Sequence, residues 1–233
     1  MSKNSILIFA DSPILNPQEI IPYPKLSVNY SVYLNTLLFS NWLDLLSEVQ
    51  DQYDISAYLS EVDKDYLPKY IMPNGSDTFF YKKEIISESL RNVLLNRSTN
   101  TESKTLVLYF NSIGLKNTEI LRLFSLVQTD EPSIVVGKSS TQKINCVCAK
   151  QSDYEVFELL IKAKKNYDKY LELISEKDYF VHTIKNFLSI DDFEDIKKLY
   201  IELSKKESLS YCSKKMHESF NDLFIEYKEL LNV

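Results

Sequence analysis

Glycine is nearly missing from this chain: Gly75, Gly114 and Gly137 are the only three in 233 residues. Glycine lets backbone approach a phosphate and supplies the positive φ angles of phosphate-cradling loops, so such a loop is poorly provided for. No P-loop or dinucleotide fingerprint is present. Part of the shortage is a compositional lean toward Lys, Asn, Ile and Tyr. Cysteine is scarce and odd in number, with Cys146, Cys148 and Cys212. The first two fall inside an apparent strand with their side chains on one face, which favours apolar packing over a structural disulfide. Histidine is limited to His182 and His217. Their spacing from Cys146-x-Cys148 does not suit zinc, no Ser-His-Asp or Cys-His arrangement is recognisable, and ordinary structural positions are expected for both. Positive charge is not in excess: 27 Lys and Arg stand against 33 Asp and Glu, for a net charge of −6 and a pI near 5.1. That balance argues against a nucleic-acid partner and against anionic membranes. No apolar run reaches membrane-spanning length, and Ile6-Leu7-Ile8-Phe9 near the start is too short for a secretory signal. A soluble, cytoplasmic protein is expected.

What the chain does have is a hydrophobic content of 44%, enough for a substantial core in a single domain. The pattern centres on residues 105–150. Thr105-Leu106-Val107-Leu108-Tyr109-Phe110 is an unbroken apolar run with β-branched and aromatic members, which suits a strand covered on both faces. It ends at Asn111-Ser112-Ile113-Gly114. Thr118 then precedes Ile120, Leu121, Leu123, Phe124 and Val127 at helical spacing and is expected to cap that helix. The helix stops near Pro132, and residues 133–136 and 144–149 read as two further strands. Upstream, residues 5–10 form a first strand closed by Asp11-Ser12-Pro13, residues 30–49 a long amphipathic helix, and residues 53–59 a second strand. The mixed signs of residues 61–67 suggest a solvated helical turn. Tyr70-Ile71-Met72 reads as a short third strand, and Asn74-Gly75 as a tight hairpin or an open loop. Residues 83–96 are an amphipathic helix. Downstream, residues 154–174 make one or two helices on which Lys162, Lys164, Lys165 and Lys169 read as a solvated face. Residues 179–183 are a last strand, and Asp191 or Asp192 is placed to cap a helix from Phe193 to Leu199. In the final helix, over residues 216–231, Phe220, Leu223, Phe224, Tyr227 and Leu231 share one side. That side would cover an edge of the domain or join a second copy into a homo-oligomer.

This layout resembles a bacterial family of small glycosyltransferase-A-like (GT-A-like) proteins with the nucleotide-diphospho-sugar transferase fold. That family has an apolar strand, a turn of the type Ser/Thr-Asp-Cys-Pro-Gly-Leu, a helix, and a strand running into Gly-Pro-x-x-Asp-Gly-Gly-Tyr-Tyr. At matching places stand Phe110-Asn111-Ser112-Ile113-Gly114-Leu115 and Gly137-Lys138-Ser139-Ser140-Thr141-Gln142-Lys143-Ile144-Asn145. The family's closing Asp-Val-Asp-Thr-Pro-Glu-Asp-Leu is matched by Ser189-Ile190-Asp191-Asp192-Phe193-Glu194-Asp195-Ile196. Its basic loop, Pro-x-Pro-Gly-x-x-Lys-Thr-Arg-Leu, is matched by residues 13–22, where no Lys or Arg remains and Glu19 would repel a phosphate. The resemblance implies a three-layer α/β/α sandwich with a mostly parallel central sheet over residues 1–200, and an extra helical extension at 201–233 packed on the same domain. Ligands of such sheets gather beyond the strands' carboxyl ends. The candidate pocket rim is therefore Ala10, Asp11, Ser12, Asn111, Ser139, Ser140 and Asp191.

A transferase acting on a nucleotide-sugar needs a cation beside the leaving diphosphate, and Mg²⁺ or Mn²⁺ takes carboxylate oxygens. Asn111, Thr141 and Ser189 stand where the family has acidic residues, so no cofactor and no metal ligand set is expected. Two functions from different classes follow. One is a divergent GT-A-like protein with a degenerate nucleotide-sugar site and a binding or scaffolding role. The other is an active glycosyltransferase or nucleotidyltransferase whose rearranged site uses Asp11, Asp191 or Asp192 and, in that case, Mg²⁺ or Mn²⁺.

Overall fold

A strand without polar interruption needs apolar cover on both faces, and the two central strands of this protein have it. The structure is a computed structural model that describes residues 3–69, 71–97, 102–128 and 130–231. Its elements run β1 (Asn4–Phe9), α1 (Val28–Ser47), β2 (Tyr53–Ser60), β3 (Asp77–Tyr81), α2 (Ile86–Arg97), β4 (Lys104–Tyr109) and β5 (Ser112–Ile113). They continue with α3 (Asn117–Leu126), β6 (Ser133–Ser139), β7 (Ile144–Lys150), α4 (Tyr154–Ala163), α5 (Tyr167–Ser175) and β8 (Phe180–Ser189). The chain closes with α6 (Phe193–Leu203), α7 (Lys214–Glu226) and α8 (Lys228–Leu231). One eight-stranded sheet has the order β3-β2-β1-β4-β7-β6-β8-β5. The strands β3, β2, β1 and β4 run parallel, β7 is antiparallel to both its neighbours, β8 is parallel to β6, and β5 is antiparallel to β8.

Successive side chains of β1 and β4 point to opposite faces. Ile6, Ile8, Leu106 and Leu108 pack beneath α1, α3, α6 and α7, with Leu34, Trp42, Leu123, Ile196 and Phe220 in the same cluster. Leu7, Phe9, Val107 and Tyr109 pack beneath α2, α4 and α5, with Leu90, Phe157 and Tyr170. The expected three-layer sandwich is the observed architecture. Cys146 and Cys148 are free, fully buried and in the first of these clusters, and burial pushes the Cys146 thiol up to about 12. Gly137 serves packing as well. A Cβ added there would lie 2.5 Å from Cys146 Sγ and 2.9 Å from the Phe187 ring, so only glycine fits between these side chains of β7 and β8. Among the described residues no helix is long and apolar enough to cross a membrane.

Several local expectations are corrected or decided. Thr118 does not cap α3: the helix begins at Asn117, and the Glu119 carboxylate reaches back to accept from Lys116 N at 2.9 Å. Ile71 and Met72 lie in a bend rather than a strand, and Tyr70 is outside the described residues. The third strand is Asp77–Tyr81, and because it runs parallel to β2, Asn74-Gly75 does not join a hairpin but sits in a turn that Ser76 N closes on Pro73 O at 3.1 Å. The helical turn Glu61–Tyr66 is not wholly solvated, since Asp63 is buried. Finally, Lys165 is buried whereas its neighbour Lys164 is exposed.

The final helices pack on the body of the domain. α7 packs on α1, Phe220 and Leu223 join the core, and the Tyr227 ring meets Tyr30 edge-on at 4.9 Å.

Candidate active site

Strand order departs outward from β1 through β2 to β3 on one side and from β4 on the other, so the switch point lies between β1 and β4. Beyond their carboxyl ends is a cavity of about 430 Å³. Its polar wall includes Asp11, Ser12, Asn35, Asn111, Lys165 and Asp191, and much of its apolar wall is the strap from Ile20 to Pro24.

Each polar group is held by the element before it. The chain leaving β1 is tied down by Asp63, whose carboxylate accepts from three successive amides: Ile14 N at 3.0 Å, Leu15 N at 2.8 Å and Asn16 N at 2.9 Å. A run of amides of this kind is a ready anion site, and here an internal carboxylate fills it. Tyr81 donates to Ala10 O at 2.8 Å, which fixes the same loop from the β3 side. Asn111 follows β4, with its Nδ2 donating to Ile190 O at 2.9 Å and to Asp191 Oδ1 at 3.0 Å. That leaves Asn111 Oδ1 facing Lys165 Nζ, which donates to it at 2.9 Å. The same ammonium donates to Asp191 Oδ1 at 2.9 Å, and Ser189 Oγ donates to Asp191 Oδ2 at 2.7 Å. The strap is anchored by Tyr23, whose hydroxyl donates to Asn35 Oδ1 at 2.9 Å.

Lys165 reaches the pocket from the α4–α5 connection, where Lys164 and Lys165 both have left-handed backbone, φ 50° and 61°. This uncommon pair turns the chain sharply and aims the second side chain inward. The aim is fixed by backbone bonds to the β6–β7 hairpin: Ile144 N donates to Lys165 O at 2.7 Å and Tyr167 N to Gln142 O at 3.1 Å. The Lys165 side chain is only 9% exposed, and Nζ lies 4.9 Å from the centroid of the Tyr109 ring. The buried hydroxyl of Tyr109 has no hydrogen-bond partner among the described residues.

The electrostatics follow from these contacts. Burial pushes the Asp191 carboxyl up, but the Lys165 ammonium and the Ser189 hydroxyl outweigh it and hold it below its ordinary value. Asp11 goes the other way: the pocket walls desolvate it and raise its carboxyl, opposed by Lys165. Its side chain meets solvent at the mouth of the cavity.

Of the expected rim, Asp11, Ser12, Asn111 and Asp191 line one cavity, and Ala10 lies buried directly behind them. Ser139 and Ser140 do not join them. The β6–β7 hairpin closes tightly through Ser139 N to Lys143 O at 2.9 Å, and Ser139 Oγ is folded into that turn, 2.9 Å from Thr141 Oγ1. Ser140 faces a separate hollow beside Ile113 and Leu188. Neither histidine lines the pocket: His182 is on β8 and His217 Nε2 lies 3.0 Å from Ser208 Oγ. Asp192, not Asp191, caps α6, accepting from Asp195 N at 2.9 Å. The residue that sequence reasoning missed is Lys165, because a lysine in a lysine-rich helical stretch carries no mark of inward aim.

Among the described residues no group of three His, Cys, Asp or Glu side chains is placed to hold a metal ion. Two of the pocket oxygens, Asn111 Oδ1 and Asp191 Oδ1, already share one ammonium.

No protein-family model matches the sequence, and no curated protein is found as a relative. Solved structures do match. A protein of Desulfovibrio desulfuricans G20, provisionally described as a nucleotide-diphospho-sugar transferase, has a TM-score of 0.71 at 12% identity, covering 100% of this chain and 98% of that one. A cytidylyltransferase from Leptospira borgpetersenii gives 0.53 at 16% identity, over 99% of this chain and 95% of that one. The 4-diphosphocytidyl-2C-methyl-D-erythritol synthase of Anaerococcus prevotii gives 0.54 at 15%, over 88% and 100%. At such identities the likeness speaks to fold, and the chain has the nucleotide-diphospho-sugar transferase fold.

Proposed function

We propose that the protein is a transferase of the nucleotidyl or glycosyl kind, binding a nucleotide-activated substrate in the pocket beyond β1 and β4. The observation that carries this reading is the nearly buried ammonium of Lys165 at the switch point. Two of its three donors are spent on Asn111 and Asp191, which leaves one for a phosphate oxygen. A preorganised cation with little water around it stabilises charge developing on a departing phosphate far better than an exposed one does. Lys165 would thus supply a cation from outside the segment that matches the family's basic loop, where no Lys or Arg stands. The named activities of the Leptospira and Anaerococcus fold neighbours support the same broad class.

In this reading Asn111 and Asp191 orient Lys165, and Asp11 at the mouth accepts the proton of an incoming hydroxyl. The strap from Ile20 to Pro24 gives a base or an acceptor an apolar wall. A second reading, binding without transfer, draws on two observations. Asp63 occupies the amide run of the first loop, and Glu19 stands in the segment that matches the family's basic loop.

Titration calorimetry of the full chain against nucleoside di- and triphosphates and nucleotide-sugars tests the proposal, followed by an assay for released nucleotide or pyrophosphate. Micromolar binding with turnover is the expected result. Binding without turnover supports the second reading, and silence across the whole panel overturns both.

A further inference from the structure

The pocket's donors do not suit a divalent ion. Mg²⁺ and Mn²⁺ are held by several oxygens, usually including more than one carboxylate. Asp191 Oδ1 already accepts from Lys165 and Asn111, and Oδ2 accepts from Ser189. Asn111 brings a neutral amide whose nitrogen must face Ile190 O and Asp191, so its oxygen can face only Lys165. Asp11 is then the one remaining carboxylate on the cavity wall.

The geometry points to Lys165 as the resident cation of this pocket: its ammonium bridges Asn111 Oδ1 and Asp191 Oδ1 where an ion shared by those oxygens would sit, and diphosphate binding is independent of divalent metal. This inference rests on the nucleotide reading given above. Three features keep the ammonium in place. Its backbone is clipped to Ile144, its charge lies near the Tyr109 ring, and its withdrawal would strand Asp191 and Asn111 without their shared donor. Asparagine at position 111 fits the lysine better than aspartate would, because a second carboxylate beside Asp191 would place acceptor against acceptor and forfeit the bond to Ile190 O.

The test uses the full chain and two readouts. Manganese binding, followed by electron paramagnetic resonance, requires no nucleotide. The wild type is expected to leave Mn²⁺ free, while the double variant Lys165→Ala with Asn111→Asp, which sets a third carboxylate beside Asp11 and Asp191, binds it at least about tenfold more tightly. Nucleotide affinity is then measured in chelator and in Mn²⁺. The wild type should give the same value in both, Lys165→Arg should keep most of it, and Lys165→Gln should lose about tenfold or more. Thermal melting checks that each variant is folded, and Lys165→Gln carries the test if the double variant is not.

A tenfold or larger gain in wild-type affinity on adding Mn²⁺ overturns this inference while leaving the transferase reading intact. Absence of nucleotide binding under every condition overturns that reading instead. The manganese titration then decides alone: a wild type that binds the ion refutes a resident lysine, and one that refuses it while the double variant accepts it supports one.

Discussion

Asp63 and Asp191 are both carboxylates spent on internal partners, yet their environments push them in opposite directions. Asp191 is held low by Lys165, so its contribution to stability is present above the unfolded value, near 4, and is lost as pH falls through the folded one. The difference in unfolding free energy between wild type and Asp191→Asn, from urea titrations, should be constant above about pH 5 and shrink in more acid solution. Asp63 is raised, chiefly by burial and against the pull of its three amides, so its effect has the reverse sign: it is present below the unfolded value and fades as pH rises. Comparison against the Asp191 variant, not the absolute curve, isolates the first term. Gly137 makes a simpler case. Gly137→Ala drives a methyl into Cys146 and Phe187 and should cost about 1–3 kcal/mol in a denaturant titration.

Among the elements, α6 was legible because Asp191-Asp192 followed by Phe193 and Ile196 is a cap ahead of an apolar stripe. Asp192→Ala should cost about 1 kcal/mol and be measurable by chemical denaturation. The central strands and α1 were equally plain, since their apolar patterns are long. The third strand was not. Asp77–Tyr81 is a short strand whose pairing is parallel to β2, so no adjacent turn announces it. Nor was the aim of Lys165. Whether a lysine is solvated or buried depends here on backbone bonds from the α4–α5 turn to residues 142 and 144, some twenty positions earlier, which no local window contains. Ser139 and Ser140 failed for a related reason, because the tightness of the β6–β7 turn decides which way their hydroxyls face.

For the whole molecule, α7 completes the layer over α1 instead of presenting an apolar face outward. Phe220, fully buried in that contact, is the residue to remove: Phe220→Ala should cost about 3–5 kcal/mol, read as a lowered urea midpoint. The pocket, for its part, draws on positions 11, 111, 165 and 191, which meet only beyond the carboxyl ends of β1 and β4. During synthesis the ammonium would therefore emerge before the carboxylate that neutralises it. A chain cut in the turn between α4 and α5 would divide these groups between two pieces, and neither piece would recover the site until the two halves recombined.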